Sequence, residues 1–189
     1  MKRNDLMKHE LSRTLKRLAS EKPLTSITIR ELTSTCGVSR GTFYNHFLDI
    51  YDLINWTFET DVIEPLQAHI SSRGQGEWHG ITEHCLRVMY GEREFYSQAA
   101  RITGQNCLQD YMREHNLDSW RLLIERYMGH NLTYDAEELD FIIRYTSNAI
   151  ANMVIDWAKD GMPIAPERMA LMDNVAIHGV YGLIDAANE

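Results

Sequence analysis

The chain has 189 residues, 44% of them apolar, with three cysteines and a formal net charge of −8. That composition supports a packed core and argues against global disorder. No apolar run approaches the ~18 residues of a membrane span, and three cysteines without C-x-x-C spacing argue against a disulfide framework or a zinc site.

The opening MKRNDLMKHE is too charged for a signal-peptide core, so a cytoplasmic protein is expected. The charge is unevenly placed. Residues 1–48 hold nine Lys/Arg against four Asp/Glu, a balance of +5, and residues 49–189 hold ten against 23, a balance of −13. A basic N-terminal quarter ahead of an acidic remainder suits a single docking face for phosphates, although charge alone also fits a solvated helix surface.

Helical periodicity dominates the chain and strand signals are almost absent. Leu6, Leu11, Leu15 and Leu18 mark a first helix over about 4–21, ended by Pro23 and Leu24. Residues 28–47, TIRELTSTCGVSRGTFYNHF, then carry the most informative pattern. Thr28 and Glu31 have the spacing of a capping box. Gly37 supplies the positive φ of a helix-to-helix turn, and Ser39 is a good N-cap for a short polar helix from Arg40 to Phe47. This is the layout of a helix-turn-helix, whose second helix enters the major groove of DNA. Asp49 and Asp52 open a fourth helix that reaches to about Ile70, and SSRGQG at 71–76 is the clearest linker.

Beyond it, helices are expected over about 77–90, 92–104, 106–129 and 135–159, with a final one that has Pro166 in its first turn. The fold class is therefore all-α with about nine helices. A helix-turn-helix DNA-binding domain occupies 1–60, and a helical effector-binding and dimerisation domain occupies 61–189. The last two helices are apolar on more than one side, which calls for two burial partners. A dimer seam is expected from Ala149, Met153 and Trp157 with Met172, Ala176, Gly179 and Leu183, whose small members allow close helix approach in a C2 four-helix bundle. The alternative is that both helices are central in a monomer.

Other chemistry finds little support. His79 and His84 are five apart rather than on one helix face, and no H-E-x-x-H occurs; His178 on an apolar face suits a core position. Cys85 follows His84, but sequence neighbours on a helix point apart. No G-x-S-x-G, glycine-rich phosphate loop or paired-carboxylate motif appears. No enzyme activity, metal or cofactor is expected, and Cys85 and Cys107 read as buried and inert.

Ile27-Thr28-Ile29, Gly37-Val38-Ser39, Tyr44-Asn45-His46-Phe47 and Leu53 together resemble the N-terminal signature of the TetR family of bacterial transcriptional regulators. Trp157, Gly161-Met162-Pro163 and Pro166-Glu167-Arg168-Met169-Ala170 resemble the end of a subgroup common in Firmicutes, some members of which regulate dihydroxyacetone kinase genes. The resemblance implies contacts to a double-stranded DNA operator from Thr28, Ser39, Arg40, Thr42, Tyr44, Asn45 and His46. The chemistry agrees: Arg40 can reach guanine bidentately and Asn45 can read adenine, while the hydroxyls and His46 suit phosphates. Phe43 and Phe47 are expected to face the core.

The resemblance also implies a homodimer, and an effector pocket drawn from Tyr96, Arg101, Trp120, Tyr145, Asn148 and Asn152; the alternative is that these residues fill the bundle core. The family's usual mode is repression, released when an effector tilts the fourth helix. An activator controlled by a protein partner, as in the dihydroxyacetone kinase operons, is the alternative. Departures from the family pattern are Ile50, where a lysine usually meets a phosphate, and Thr33 and Cys36, where small alanines are common.

Overall fold

A computed structural model describes residues 3–72, 79–127 and 135–172, and among these there is no strand. Three helices make the N-terminal head. Helix α1 (Arg3–Glu21) buries Leu11, Leu15 and Leu18 along one face. A 3-10 turn at Leu24–Ser26 leads into α2 (Ile29–Cys36). Gly37 then takes φ 74°, which L side chains rarely adopt, and α3 (Arg40–Tyr44) follows.

Thr28 caps α2 as expected, its hydroxyl accepting from the Glu31 N–H at 3.2 Å. The reciprocal half of the capping box is missing, because the Glu31 carboxylate is ion-paired with Lys22. Helix α3 is also shorter than its sequence suggests. After Tyr44 the backbone tightens, with the N–H groups of both His46 and Phe47 donating to the Phe43 carbonyl. The cause lies just downstream. Asp49 is extended (φ −156°, ψ −173°) and caps the next helix by accepting from the Asp52 N–H at 2.8 Å, while the Asp52 carboxylate accepts from the Leu48 N–H at 2.9 Å. Phe43 and Phe47 turn inward in consequence and are buried.

The fourth helix is one unbroken helical path in three parts: α4 (Ile50–Phe58), a wider π-helical turn at Glu59–Ile63, and α5 (Glu64–Ser72). Then come α6 (His79–Gly91), α7 (Arg93–Arg101), α8 (Leu108–Tyr127) and α9 (Ala136–Lys159). Helix α9 opens on a full capping box, Asp135 with Glu138. It closes at Asp160-Gly161-Met162, where Gly161 (φ 83°) and Met162 (φ 59°) reverse the chain. The last helix, α10, begins at Pro166 and is described to 172. Helices α8 and α9 lie antiparallel, as three polar bridges show: Arg113 to Asn152 at 3.2 Å, Asn116 to the Ser147 carbonyl at 2.6 Å, and Arg121 to Asp140 at 3.0 Å.

Head and body share one hydrophobic core. It runs without interruption from Leu11, Leu32 and Phe43 through Phe58 to Tyr96, Ile155 and Trp157. A smaller cluster of Ile70, Trp120, Leu123 and Ile143 lies where α5, α8 and α9 meet. Polar ties cross the same junction. Gln98 on α7 donates to the Ala19 carbonyl at 2.7 Å and accepts from the Leu24 N–H at 2.6 Å, so one amide closes both the end of α1 and the turn after it. Asp61, in the π-helical turn, accepts from Lys16 at 2.5 Å and from the buried Tyr96 hydroxyl at 2.7 Å. Asn55 donates to the Asn106 carbonyl at 3.1 Å. Helix α7 thus fastens α1 to the body, beside the continuous α4–α5 path.

Candidate nucleic-acid interface

The turn between α2 and α3 sets which side chains can leave the head. The Ser39 hydroxyl accepts from the Thr42 N–H at 3.0 Å and lies 2.9 Å from the Thr42 hydroxyl, which fixes the first turn of α3. With Phe43 fully buried, helical spacing turns the rest of α3 outward. Arg40, Tyr44 and Asn45 are exposed, Thr42 and His46 are half-buried, and Tyr44 keeps 57% of its surface. The Tyr44 ring stands edge-on to Phe43 at 5.5 Å, so a core residue orients an outward one. None of the described ion pairs uses Arg40, and its guanidinium is left for a ligand.

Six of the seven residues expected to meet DNA thus lie on one short stretch, residues 39–46. The seventh, Thr28, is exposed at the start of α2, with its side-chain oxygen already used as a cap. Thr28→Ala is expected to cost ~1 kcal/mol of stability through the lost cap, seen as a lower denaturant midpoint. An unchanged midpoint would mean that the cap contributes nothing.

Two of the three family departures, Ile50 and Thr33, have local causes. Ile50 is half-buried against the core, so its side chain packs rather than reaching outward. Thr33 is buried, and its hydroxyl returns to the Ile29 carbonyl at 2.8 Å, which lets a polar residue sit in the helix crossing.

The residues expected to line an effector pocket do not converge. Tyr96 is fully buried against Phe58 and Phe95. Trp120 belongs to the smaller cluster between α5, α8 and α9. Arg101 is exposed and donates to the Lys159 carbonyl at 2.7 Å, closing the end of α9. Tyr145 and Asn148 are exposed on α9, and Asn152, also exposed, accepts from Arg113 of α8. A helix with two apolar faces does not announce which face the rest of the chain will cover.

The expected dimer seam is likewise divided. Ala149 and Met172 are exposed, and Met153 is half-buried. Trp157 is buried at 4% exposure, with its indole N–H donating to the Ile164 carbonyl at 2.8 Å, so it closes the loop after α9 and cannot face a partner. Ala176, Gly179 and Leu183 lie outside the described residues, as does His178. Sequence reasoning missed Phe141, 69% exposed and stacked on Tyr145 at 6.4 Å; Leu171, beside the apolar stripe of the last helix, is 61% exposed. The signal for Phe141 was available: it is a large apolar residue four before Tyr145, on the same face of the helix where the seam was sought.

Among the described residues no cluster of His, Cys, Asp and Glu could hold a metal ion, and no helix is long and apolar enough to cross a membrane. Burial pushes the Cys85 thiol up to about 12. Because this lies above the ~8.5 of a free thiol, any stabilisation from burying the neutral form is complete below that value and is lost as pH rises towards 12. Cys85 is expected to resist alkylation in the native protein at pH 7–8 and to react only on unfolding. Rapid native labelling, assigned by mass spectrometry, would contradict this.

With this geometry in view, the chain matches known proteins along most of its length. Residues 13–55 match the family described as bacterial regulatory proteins, tetR family, and residues 76–179 match one described as transcriptional regulator C-terminal region. A curated relative, the HTH-type dhaKLM operon transcriptional activator DhaS of Lactococcus lactis subsp. lactis (strain IL1403), is 23% identical over 152 residues, spanning 79% of this chain and 78% of its own. A solved structure titled dihydroxyacetone kinase operon activator DhaS shares the fold, with a TM-score of 0.71 at 19% identity over 94% of this chain and 97% of that one.

Proposed function

The chain belongs to the TetR family of bacterial DNA-binding transcriptional regulators, and on that premise we propose that it acts as a homodimeric repressor. Each protomer reads one half of a near-palindromic operator with residues 39–46. The observation that supports this reading best is the outward group of Arg40, Tyr44 and Asn45 on a helix locked from behind by Phe43, in a head of charge +5. In the simplest geometry the two heads sit about 34–36 Å apart, one turn of DNA. The dimer forms through the outer face of α9 (Phe141, Tyr145 and Ala149) together with Leu171 and Met172 of α10, exposed residues that a second copy would cover. The protein acts in the cytoplasm, where its operator is.

Release follows from the path that joins the two ends of the molecule. An effector held by the body would shift α5, and the shift would pass through the Glu59–Ile63 turn to α4 and change the separation of the heads. π-helical turns are frequent at functional sites, and a differential affinity of a few kcal/mol between the two head spacings suffices to change operator occupancy. A footprint on DNA flanking the protein's own gene tests the proposal. A symmetric protected site overlapping a promoter supports repression. Protection upstream of the promoter would instead favour activation, the role named for the Lactococcus relative. No protection at low salt anywhere in the flanking DNA would count against an operator there.

A further inference from the structure

The DNA-facing rim of the head lacks a cation along one side. Between Arg40 and Arg73 there is no Lys or Arg, while Asp49 and Asp52 stand at the start of α4. A phosphate following that side would meet two carboxylates and the half-buried, apolar Ile50. A cation there has to come from another element.

Helix α1 brings one. It runs parallel to α4, as the pairings His9 with Trp56, Ser12 with Thr57 and Lys16 with Asp61 show. The first turns of both helices therefore lie side by side, at the end of the head that carries α3. Side chains on a helix lean towards its N-terminus, so Lys8 leans towards that end. Its ammonium sits 5.5 Å from the centroid of Phe47 and 5.5 Å from that of Trp56. Phe47 and Trp56 also pack on each other at 5.7 Å, and His9 closes on Trp56 at 5.0 Å. Two ring faces hold the ammonium, and none of the described ion pairs involves it. Aromatic faces attract a cation without neutralising it, so the charge stays available. It is placed beside Phe47, the immediate neighbour of His46.

We infer that Lys8 is a phosphate-binding residue of the operator interface, which supplies from α1 the positive charge that the start of α4 lacks. The inference rests on the reading of residues 39–46 as the operator-contacting segment. Lys8 touches the sugar-phosphate backbone and not a base edge, so it adds affinity and salt dependence without sequence preference.

The test is operator affinity against salt concentration for Lys8→Met, which keeps the apolar stem over the two rings, beside Lys8→Arg. Arg13→Met serves as the control; it removes the same charge from a largely exposed position farther along α1. Each phosphate contact contributes about 0.9 to the slope of log K against log salt. For a dimer, Lys8→Met should lower the slope by about 1.8, weaken matched and mismatched operators by the same factor, and be rescued by Lys8→Arg. Arg13→Met should leave the slope close to wild type. A wild-type slope in Lys8→Met, or an equal loss in Arg13→Met, overturns the inference. The slope is read on folded protein, and Lys8→Gln repeats the measurement if the methionine variant melts early. Arg40→Ala runs alongside. If Arg40→Ala loses binding while Lys8→Met does not change the slope, only the role of Lys8 falls; if neither variant changes binding, the reading of residues 39–46 falls first.

Discussion

Arg40→Ala is expected to abolish operator protection while leaving the helical fold intact. Arg40 is the first residue of α3, exposed, and outside every described ion pair, so its loss breaks none of them. Its planar fork of donors matches the O6 and N7 acceptors of guanine, and one such bidentate pair is worth ~1–3 kcal/mol of discrimination. A dimer uses the residue twice, so the loss is ~2–6 kcal/mol, or between roughly 30-fold and 10⁴-fold in affinity. The decisive comparison is a titration of wild-type and variant protein on one operator at fixed salt, with circular dichroism to verify the fold. Arg40→Lys should recover part of the charge but little of the discrimination, because an ammonium lacks the fork. If Arg40→Ala bound like wild type, α3 would not be the helix that reads the groove.

Asp61→Ala should be the most damaging change at the junction between head and body. Its Oδ2 accepts from both the Lys16 ammonium and the Tyr96 hydroxyl, and Tyr96 has no exposed surface. Truncation leaves a buried hydroxyl without an acceptor and a Lys16 ammonium, 15% exposed, with only Glu92 at 3.7 Å to answer it. An orphaned buried polar group costs ~1–3 kcal/mol, and breaking a fully buried pair costs ~3–5 kcal/mol. Asp61 keeps 23% of its side-chain surface, so ~2–3 kcal/mol is the reasoned value after allowing for solvent. Tyr96→Phe removes the hydroxyl together with its need for an acceptor, and should cost less. Chemical denaturation of the two variants side by side decides the matter. An Asp61→Ala loss no larger than that of Tyr96→Phe would show that the lysine pair is solvated and idle.

The parts of the molecule that sequence alone made legible are those with a one-residue signal. Gly37, Ser39 and Pro166 each solve a backbone problem that few residues can solve, and each stands where its pattern placed it. The long apolar periodicities of α1 and α9 were equally clear. What the sequence hid were choices between equal alternatives. Glu31 could reach back to its own cap or across to Lys22, and the tertiary fold decided for Lys22. Trp157 could face a partner or the loop behind it, and the Ile164 carbonyl decided for the loop. The π-helical turn at Glu59–Ile63 has no compositional mark, because widening a helix by one residue changes its register rather than its residue types. The contact residues proposed for DNA were named from a family pattern, and the fold brings most of them together; the pocket residues had no comparable local signal and are scattered.

The amide of Gln98 bears on how such proteins can be recombined. It joins the Ala19 carbonyl to the Leu24 N–H, so two backbone groups of the head depend on a side chain 74 or more residues away. A chimera that exchanges heads by cutting the chain near residue 60 carries those two groups away from their partner, along with the Lys16 ammonium from Asp61 and Tyr96. A graft that retains residues 92–98 with the head keeps Gln98 and Tyr96, although these are distant in sequence. Interchangeable parts in this architecture are defined by packing, and a linear cut does not respect them.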